Sequence, residues 1–196
     1  MTNHSVNSII VLLGSNRCGK SSITVRSISS EFDPSIERTN SEKVYLKQID
    51  LESNCVKLII YEEPDNDSFK IHPTIMCRAA VVILFVFSLT DRDSFERLSD
   101  WFSLVNANVK EMPILFVVGN KNDLVEERKV ESEQAELYAK EIGAFYYEVS
   151  AKTGSGIEEL FNRVAEESYN KLIHENNEQP SINLSNNDSH NNSKCT

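Results

Sequence analysis

Strand-sized apolar runs alternate with segments of helical period between residues 8 and 172, and no other feature of the chain restricts its fold as strongly. Ser8–Leu13 is a short apolar run that stops at Gly14, and Lys20–Ser29 reads as a helix. Lys43–Leu51 and Val56–Tyr61 read as two strands joined through Glu52, Ser53 and Asn54. Val81–Phe87 and Ile114–Val118 are unbroken β-branched and aromatic runs, the pattern of parallel strands covered on both faces. Ser94–Val109 carries Phe95, Leu98, Phe102 and Val105 at helical spacing, and Ser132–Ile142 is a second such segment. Phe145–Val149 reads as the last strand. Ile157, Leu160, Phe161, Val164, Ser168 and Leu172 then mark one stripe of a C-terminal helix. Parallel strands need crossovers, so the pattern predicts an α/β fold: a mainly parallel six-stranded sheet flanked by helices on both faces.

The 196 residues suffice for one globular domain. From about Glu175 the chain becomes Asn- and Ser-rich with few apolar residues. Such a segment buries too little to offset chain entropy. The reading is therefore a domain over 1–174 and a disordered tail over 175–196. The net charge of −10 argues against a sequence-independent nucleic-acid binder, which needs clustered Lys and Arg to displace counterions. No apolar run reaches membrane-span length, and the first residues lack the basic and apolar regions of a signal peptide. A cytoplasmic location is the expectation, with the four cysteines as free thiols.

Gly14-Ser15-Asn16-Arg17-Cys18-Gly19-Lys20-Ser21 fits G-x-x-x-x-G-K-[ST], between a predicted strand and a predicted helix. This context marks a P-loop NTPase fold. Glycines let backbone N–H groups turn inward around phosphate oxygens, and the helix N-terminus adds partial positive charge. Lys20 would neutralise the β- and γ-phosphates, and the Ser21 hydroxyl would ligate Mg²⁺. Gly14, Asn16, Arg17, Cys18, Gly19, Lys20, Ser21 and Ser22 are the candidate nucleotide-binding positions here. Cys18 reads as a small residue whose backbone matters more than its thiol.

The base is chosen elsewhere. Asn120-Lys121-Asn122-Asp123 follows the strand that begins at Ile114. A carboxylate at Asp123 accepts two hydrogen bonds from guanine, from the ring N–H and the exocyclic amine, and adenine offers no such pair. Ser150-Ala151-Lys152, after the last strand, would bring a backbone N–H to the guanine oxygen and a lysine stem over the ring.

Taken together, these motifs resemble the Ras-superfamily small GTPases, and within them the Rab family. The resemblance runs from Ile9 to about Tyr169, and it is gapless from the phosphate loop through Asp123. Asp91-Arg92-Asp93-Ser94-Phe95 and Trp101 add to it. It implies a GTP/GDP switch with Mg²⁺, exchange-factor and effector proteins as partners, and a role in vesicle and membrane traffic on the cytoplasmic face of an endomembrane.

It also implies a loop hydroxyl that binds Mg²⁺. Thr39 lies 18 residues after Ser21 and 23 before Glu62, which nominates it, with Ser35 as the alternative. On that register Phe32 falls beside the nucleotide or packs within its own loop. After the Val56–Tyr61 strand the family has D-T-A-G-Q, whereas this chain has Glu62-Glu63-Pro64-Asp65-Asn66. Glu62 replaces the aspartate that holds Mg²⁺ through water, and its extra methylene shifts the carboxylate. Asp65 replaces a glycine whose N–H meets the γ-phosphate, and like charges there repel by up to about 4 kcal/mol at ~4 Å and an effective dielectric near 20. Pro64 removes a donor. Asn66 replaces the glutamine that orients the attacking water, with a shorter reach. Because positioning is most of phosphoryl-transfer catalysis, intrinsic GTP hydrolysis is expected to be slow or absent. Lys20 and Asn66 are the remaining catalytic candidates. The alternative is a pseudo-GTPase, an interaction module that is nucleotide-locked or nucleotide-free.

The same register places Val44, Tyr61 and Met76 where Rabs present a hydrophobic triad. Two of the three are not aromatic, so the expected partners are atypical. Cys195 is a single penultimate cysteine outside a C-a-a-X motif, and its prenylation would give a membrane attachment.

Overall fold

The computed structural model of the chain describes residues 4–32, 43–52, 54–62 and 72–178. Its elements run β1 (His4–Leu13), α1 (Lys20–Ser29), β2 (Lys43–Leu51), β3 (Asn54–Glu62), α2 (His72–Ala79), β4 (Val82–Ser88), α3 (Arg92–Glu96), α4 (Leu98–Asn108), β5 (Ile114–Asn120), α5 (Ser132–Glu141), β6 (Phe145–Val149) and α6 (Ile157–Glu178). A single 3-10 turn, Val125–Glu127, lies between β5 and α5.

The strands form one six-stranded sheet in the order β2-β3-β1-β4-β5-β6. The hairpin partner β2 runs antiparallel to β3, with Val44 opposite Tyr61, and every other pair is parallel. Alternate side chains of β1 show why both faces are covered. Ile10 and Leu12 enter one core with Ile23 of α1 and Leu160, Phe161 and Val164 of α6. Val11 and Leu13 enter the other with Cys77 of α2, Phe95 of α3, Leu98 and Val105 of α4, and Ala135 and Ala139 of α5. The expected α/β architecture is thus present. All seven residues of β4 are buried. Phe85 and Phe87 alone contribute about 1.5–3 kcal/mol each, so the sheet centre anchors the loops at its edge. Ser168, the polar member of the α6 stripe, meets Ser8 of β1 at 2.9 Å, and both are fully buried. A paired hydroxyl is tolerated there because neither partner is left unsatisfied.

Several elements differ from the sequence expectation. The Ser94–Val109 period is two helices, broken at Arg97. Ser94 pins the first turn, accepting the Ser88 N–H at 3.0 Å and donating to the Asp91 carbonyl at 2.7 Å. The period survives because both pieces bury the same face. Helix α2 escaped the reading because eight residues hold barely two turns of pattern. Strands β3 and β5 extend beyond their apolar runs, so Glu62 and Asn120 are strand residues. Helix α6 continues past the expected boundary at residue 174 to Glu178. Adding a turn to an existing helix costs little, and Pro180 is the first residue that opposes it. Among the described residues, no helix is long and apolar enough to cross a membrane.

The edge strand β6 is tied down by charge. Arg128 donates to both Glu148 oxygens, at 3.0 and 2.6 Å, and Ser132 and Tyr146 add hydroxyl donors to Oε1 at 2.7 and 2.6 Å. Burial pushes the Glu148 carboxyl up, but the hydrogen bonds from Arg128, Tyr146 and Ser132 prevail and pull it from 4.5 to about 2. A carboxyl whose folded value lies below its unfolded one stabilises the fold above about pH 4.5, and that share is lost as pH falls toward 2. The stability gap between the native chain and Glu148→Gln should therefore shrink on acidification. Urea unfolding of both at about pH 5 and about pH 3 checks this, and an unchanged gap would contradict it.

Candidate functional site

Because β1, β3, β4, β5 and β6 are parallel, their C-terminal ends lie along one edge of the sheet. In an open α/β sheet that edge is where ligands bind. Gly14 follows β1, Glu62 ends β3, Asn120 ends β5 and Ser150 follows β6. One edge thus collects all the motifs that fall on described residues.

The phosphate loop is shaped around its glycines. A Cβ on Gly14 would come within 2.0 Å of the Val86 carbonyl oxygen, and one on Gly19 within 2.1 Å of the Asn120 amide nitrogen. Gly19 has φ +98, which favours glycine as well. Arg17 also takes a left-handed backbone, φ 62, and its side chain is exposed. Lys20 is 6% exposed and folds back into the loop, donating to the carbonyls of Gly14 at 2.7 Å and Ser15 at 3.2 Å. The Ser15 hydroxyl is buried and has no hydrogen-bond partner among the described residues. A buried lysine, an orphan hydroxyl and a cradle that only glycine permits fit an anionic oxygen ligand. Burial pushes the Cys18 thiol up, with Lys20 opposing, so Cys18 is a packed thiol rather than a thiolate. Ser22 is half-buried on α1.

Ser21, in the first turn of α1, donates its hydroxyl to Glu62 Oε1. Glu62 is 2% exposed, and Tyr45 of β2 approaches its other oxygen at 3.5 Å. Burial and Glu62 push the Tyr45 hydroxyl up to about 12. The longer side chain thus directs its carboxylate onto the Ser21 hydroxyl, and the two oxygens suit a hard cation. Thr39, its alternative Ser35, and Glu63, Pro64, Asp65 and Asn66 lie outside the described residues, as does Cys195. Phe32 is exposed just beyond α1.

The loop after β5 is joined to the glycine-rich loop after β1 by Asn120, which is 2% exposed. Its amide donates to the Cys18 carbonyl at 2.9 Å, and its oxygen accepts the Ala151 N–H at 3.2 Å. Lys121 has φ +70 and turns the chain, and the Asn122 N–H reaches the Val149 carbonyl at 3.1 Å. Asp123 accepts the Ser150 hydroxyl at 2.6 Å, which orients the carboxylate. Lys152 stands 3.9 Å from Asp123 and is 65% exposed, an ion pair worth little by itself. Arg26 of α1 reaches the same loop at the Thr153 carbonyl, 3.0 Å away.

The Ras-family model matches residues 9–170. The chain belongs to the Ras family. Among curated relatives it is 36% identical to Ras-related protein RabJ of Dictyostelium discoideum over 157 residues, covering 80% of this chain and 61% of that protein. It is 34% identical to Ras-related protein SEC4 of Saccharomyces cerevisiae, covering 85% of this chain and 74% of the relative. It is 31% identical to GTP-binding protein ypt2 of Schizosaccharomyces pombe, covering 86% and 84%. Within the Ras family the chain is Rab-like. At the Rab triad position, Val44 of β2 is 55% exposed and pairs across the hairpin with half-buried Tyr61, while Met76 of α2 is half-buried. Sequence reasoning missed Arg26, Arg128 and Glu148.

Replacing Asn120 by Ala strands the buried Cys18 carbonyl and Ala151 N–H. The expected loss is about 2–4 kcal/mol, read by urea unfolding without added nucleotide, and a loss below about 1 kcal/mol would contradict the bridging role.

Proposed function

We propose that this Rab-like protein binds GTP and GDP with Mg²⁺ as a switch in vesicle and membrane traffic, with intrinsic GTP hydrolysis slow or absent. The observation that carries the nucleotide reading is the convergence of Lys20, Asn120, Asp123 and Ala151 at one sheet edge, tied through the Asn120 side chain. The relative ypt2 of Schizosaccharomyces pombe is named a GTP-binding protein, which agrees with this reading.

Phosphate oxygens would lie against the loop N–H groups and Lys20, and Gly14, Asn16, Arg17, Cys18, Gly19, Ser21 and Ser22 complete that cradle. Mg²⁺, when bound, supplies charge neutralisation between the β- and γ-phosphates. Ser21 and Thr39 would hold it directly and Glu62 through water. Asp123 would read the guanine ring N–H and amine, Ala151 its oxygen, and Lys121 and Lys152 would flank the base, with Phe32 near the nucleotide. In hydrolysis a water attacks the γ-phosphorus while the β–γ bridging oxygen leaves with its electron pair. Lys20 can stabilise that charge, but Asn66 reaches one carbon less far toward the water than glutamine. Asp65 and Pro64 oppose the closed loop.

A pseudo-GTPase is favoured over a slow enzyme only if Glu62–Asn66 abolishes turnover outright. Single-turnover hydrolysis separates the two. The native chain should be slow, and exchanging residues 62–66 for Asp-Thr-Ala-Gly-Gln should accelerate it at least about tenfold. No acceleration would refute the account of this loop.

Exchange factors and effectors would meet the surface around Val44, Tyr61 and Met76, and its reduced aromatic content points to atypical partners. Attachment to the cytoplasmic face of an endomembrane would run through a prenylated Cys195. Intact-mass analysis of the protein from native cells should show the lipid, and an unmodified Cys195 would remove that part of the proposal.

A further inference from the structure

We infer that Tyr45 of β2 is a positioning residue for the cation end of the site, its hydroxyl holding the Glu62 carboxylate against the Ser21 hydroxyl. The inference rests on the guanine-nucleotide and Mg²⁺ reading above. In the β2–β3 hairpin Tyr45 lies opposite Ile60, and Lys43 lies opposite Glu62. Tyr45 is therefore a diagonal neighbour of Glu62 on one face of the sheet, within reach of a long side chain. That face is the one α1 covers, since Ile60 and Tyr45 pack in the same core as Ile23. Ser21 enters from the first turn of α1, so β2, β3 and α1 meet at one carboxylate.

The need for a second tether follows from the side chain at residue 62. A glutamate has one more rotatable bond than an aspartate, so a single contact fixes its carboxylate less well. Here each oxygen has its own donor. Ser21 takes Oε1, and the Tyr45 hydroxyl approaches Oε2 at 3.5 Å. Glu62 is 2% exposed and Ser21 8%, so open solvent competes little with either contact. Tyr45 suits the place because its ring packs against the core while its tip stays polar. A phenol donates at neutral pH and a carboxylate only accepts, which fixes the sense of the bond. A carboxylate oriented in this way is a better-placed partner for a hard cation, and losing such an outer contact costs about 10–100-fold in metal affinity. The length of the Tyr45 contact puts the expected effect near or below the lower end of that range.

Mg²⁺ shared between the phosphates and Ser21 would add to the hold on bound GDP, so GDP release should slow as free Mg²⁺ rises. The midpoint of that titration reads the cation site without any turnover. The test follows release of fluorescent GDP from the full chain across a Mg²⁺ titration. Tyr45→Phe removes one oxygen and keeps the ring, and it should raise the Mg²⁺ midpoint about threefold or more. Glu62→Asp shortens the carboxylate by one carbon and withdraws it from β2. On that background, adding Tyr45→Phe should move the midpoint by less than about 1.5-fold. Tyr147→Phe, which takes a hydroxyl from another tyrosine packed on the same core, is the control and should match the native chain. A ring that only fills space would give the same shift on both backgrounds, or none on either, and each of those results overturns the inference. A native chain that binds GDP but releases it at a rate indifferent to Mg²⁺ overturns the cation assignment. One that binds no GDP overturns the functional reading itself.

Discussion

The carboxamide of Asn120 uses its donor on the Cys18 carbonyl and its acceptor on the Ala151 N–H, so three loops remote in sequence share one buried side chain. A carboxamide suits this place because it offers a donor and an acceptor at once without bringing a charge into the buried site. Gly19 is obligatory beside it, since any side chain there would collide with the same amide. The parallel sheet makes the arrangement available, because it sets the ends of β1, β5 and β6 side by side. Helices packed on both faces then leave that edge as the open one.

The two ends of the site depend on different physics. At the phosphate end a buried lysine is held by loop carbonyls, an arrangement that an incoming anion would reorganise. At the other end the carboxylate of Asp123 accepts the Ser150 hydroxyl, and Arg128 pairs with Glu148 on the strand that leads to Ser150. Glu62 belongs to the first end. Its carboxylate lies on the Ser21 hydroxyl. The remaining departures from the family pattern, Glu63, Pro64, Asp65 and Asn66, lie outside the described residues.

Most of the fold was legible because its strands are continuous apolar runs and its crossovers have helical period. Lys20–Ser29, Lys43–Leu51 and Phe145–Val149 emerge with the expected bounds. What was not legible depended on contacts rather than pattern. The break at Arg97 is set by the Ser94 anchor on β4, which leaves the apolar period intact. Glu62 and Asn120 are polar residues that the sheet carries as strand, because neighbouring strands pair with them. Gly14 and Gly19 were readable because backbone geometry demands glycine there, and Lys20 because the motif fixes its place beside them. Arg128 and Glu148 were not, since two opposite charges 20 residues apart announce nothing until β6 brings them together.

A site that selects guanine nucleotides should keep one bound through purification. The protein would be purified gently with Mg²⁺ present, and its bound nucleotide identified by chromatography after release. Stoichiometric guanine nucleotide is expected, GTP if hydrolysis is stalled and GDP if it proceeds. An adenine nucleotide would contradict it, as would an empty chain that takes up neither added GTP nor added GDP.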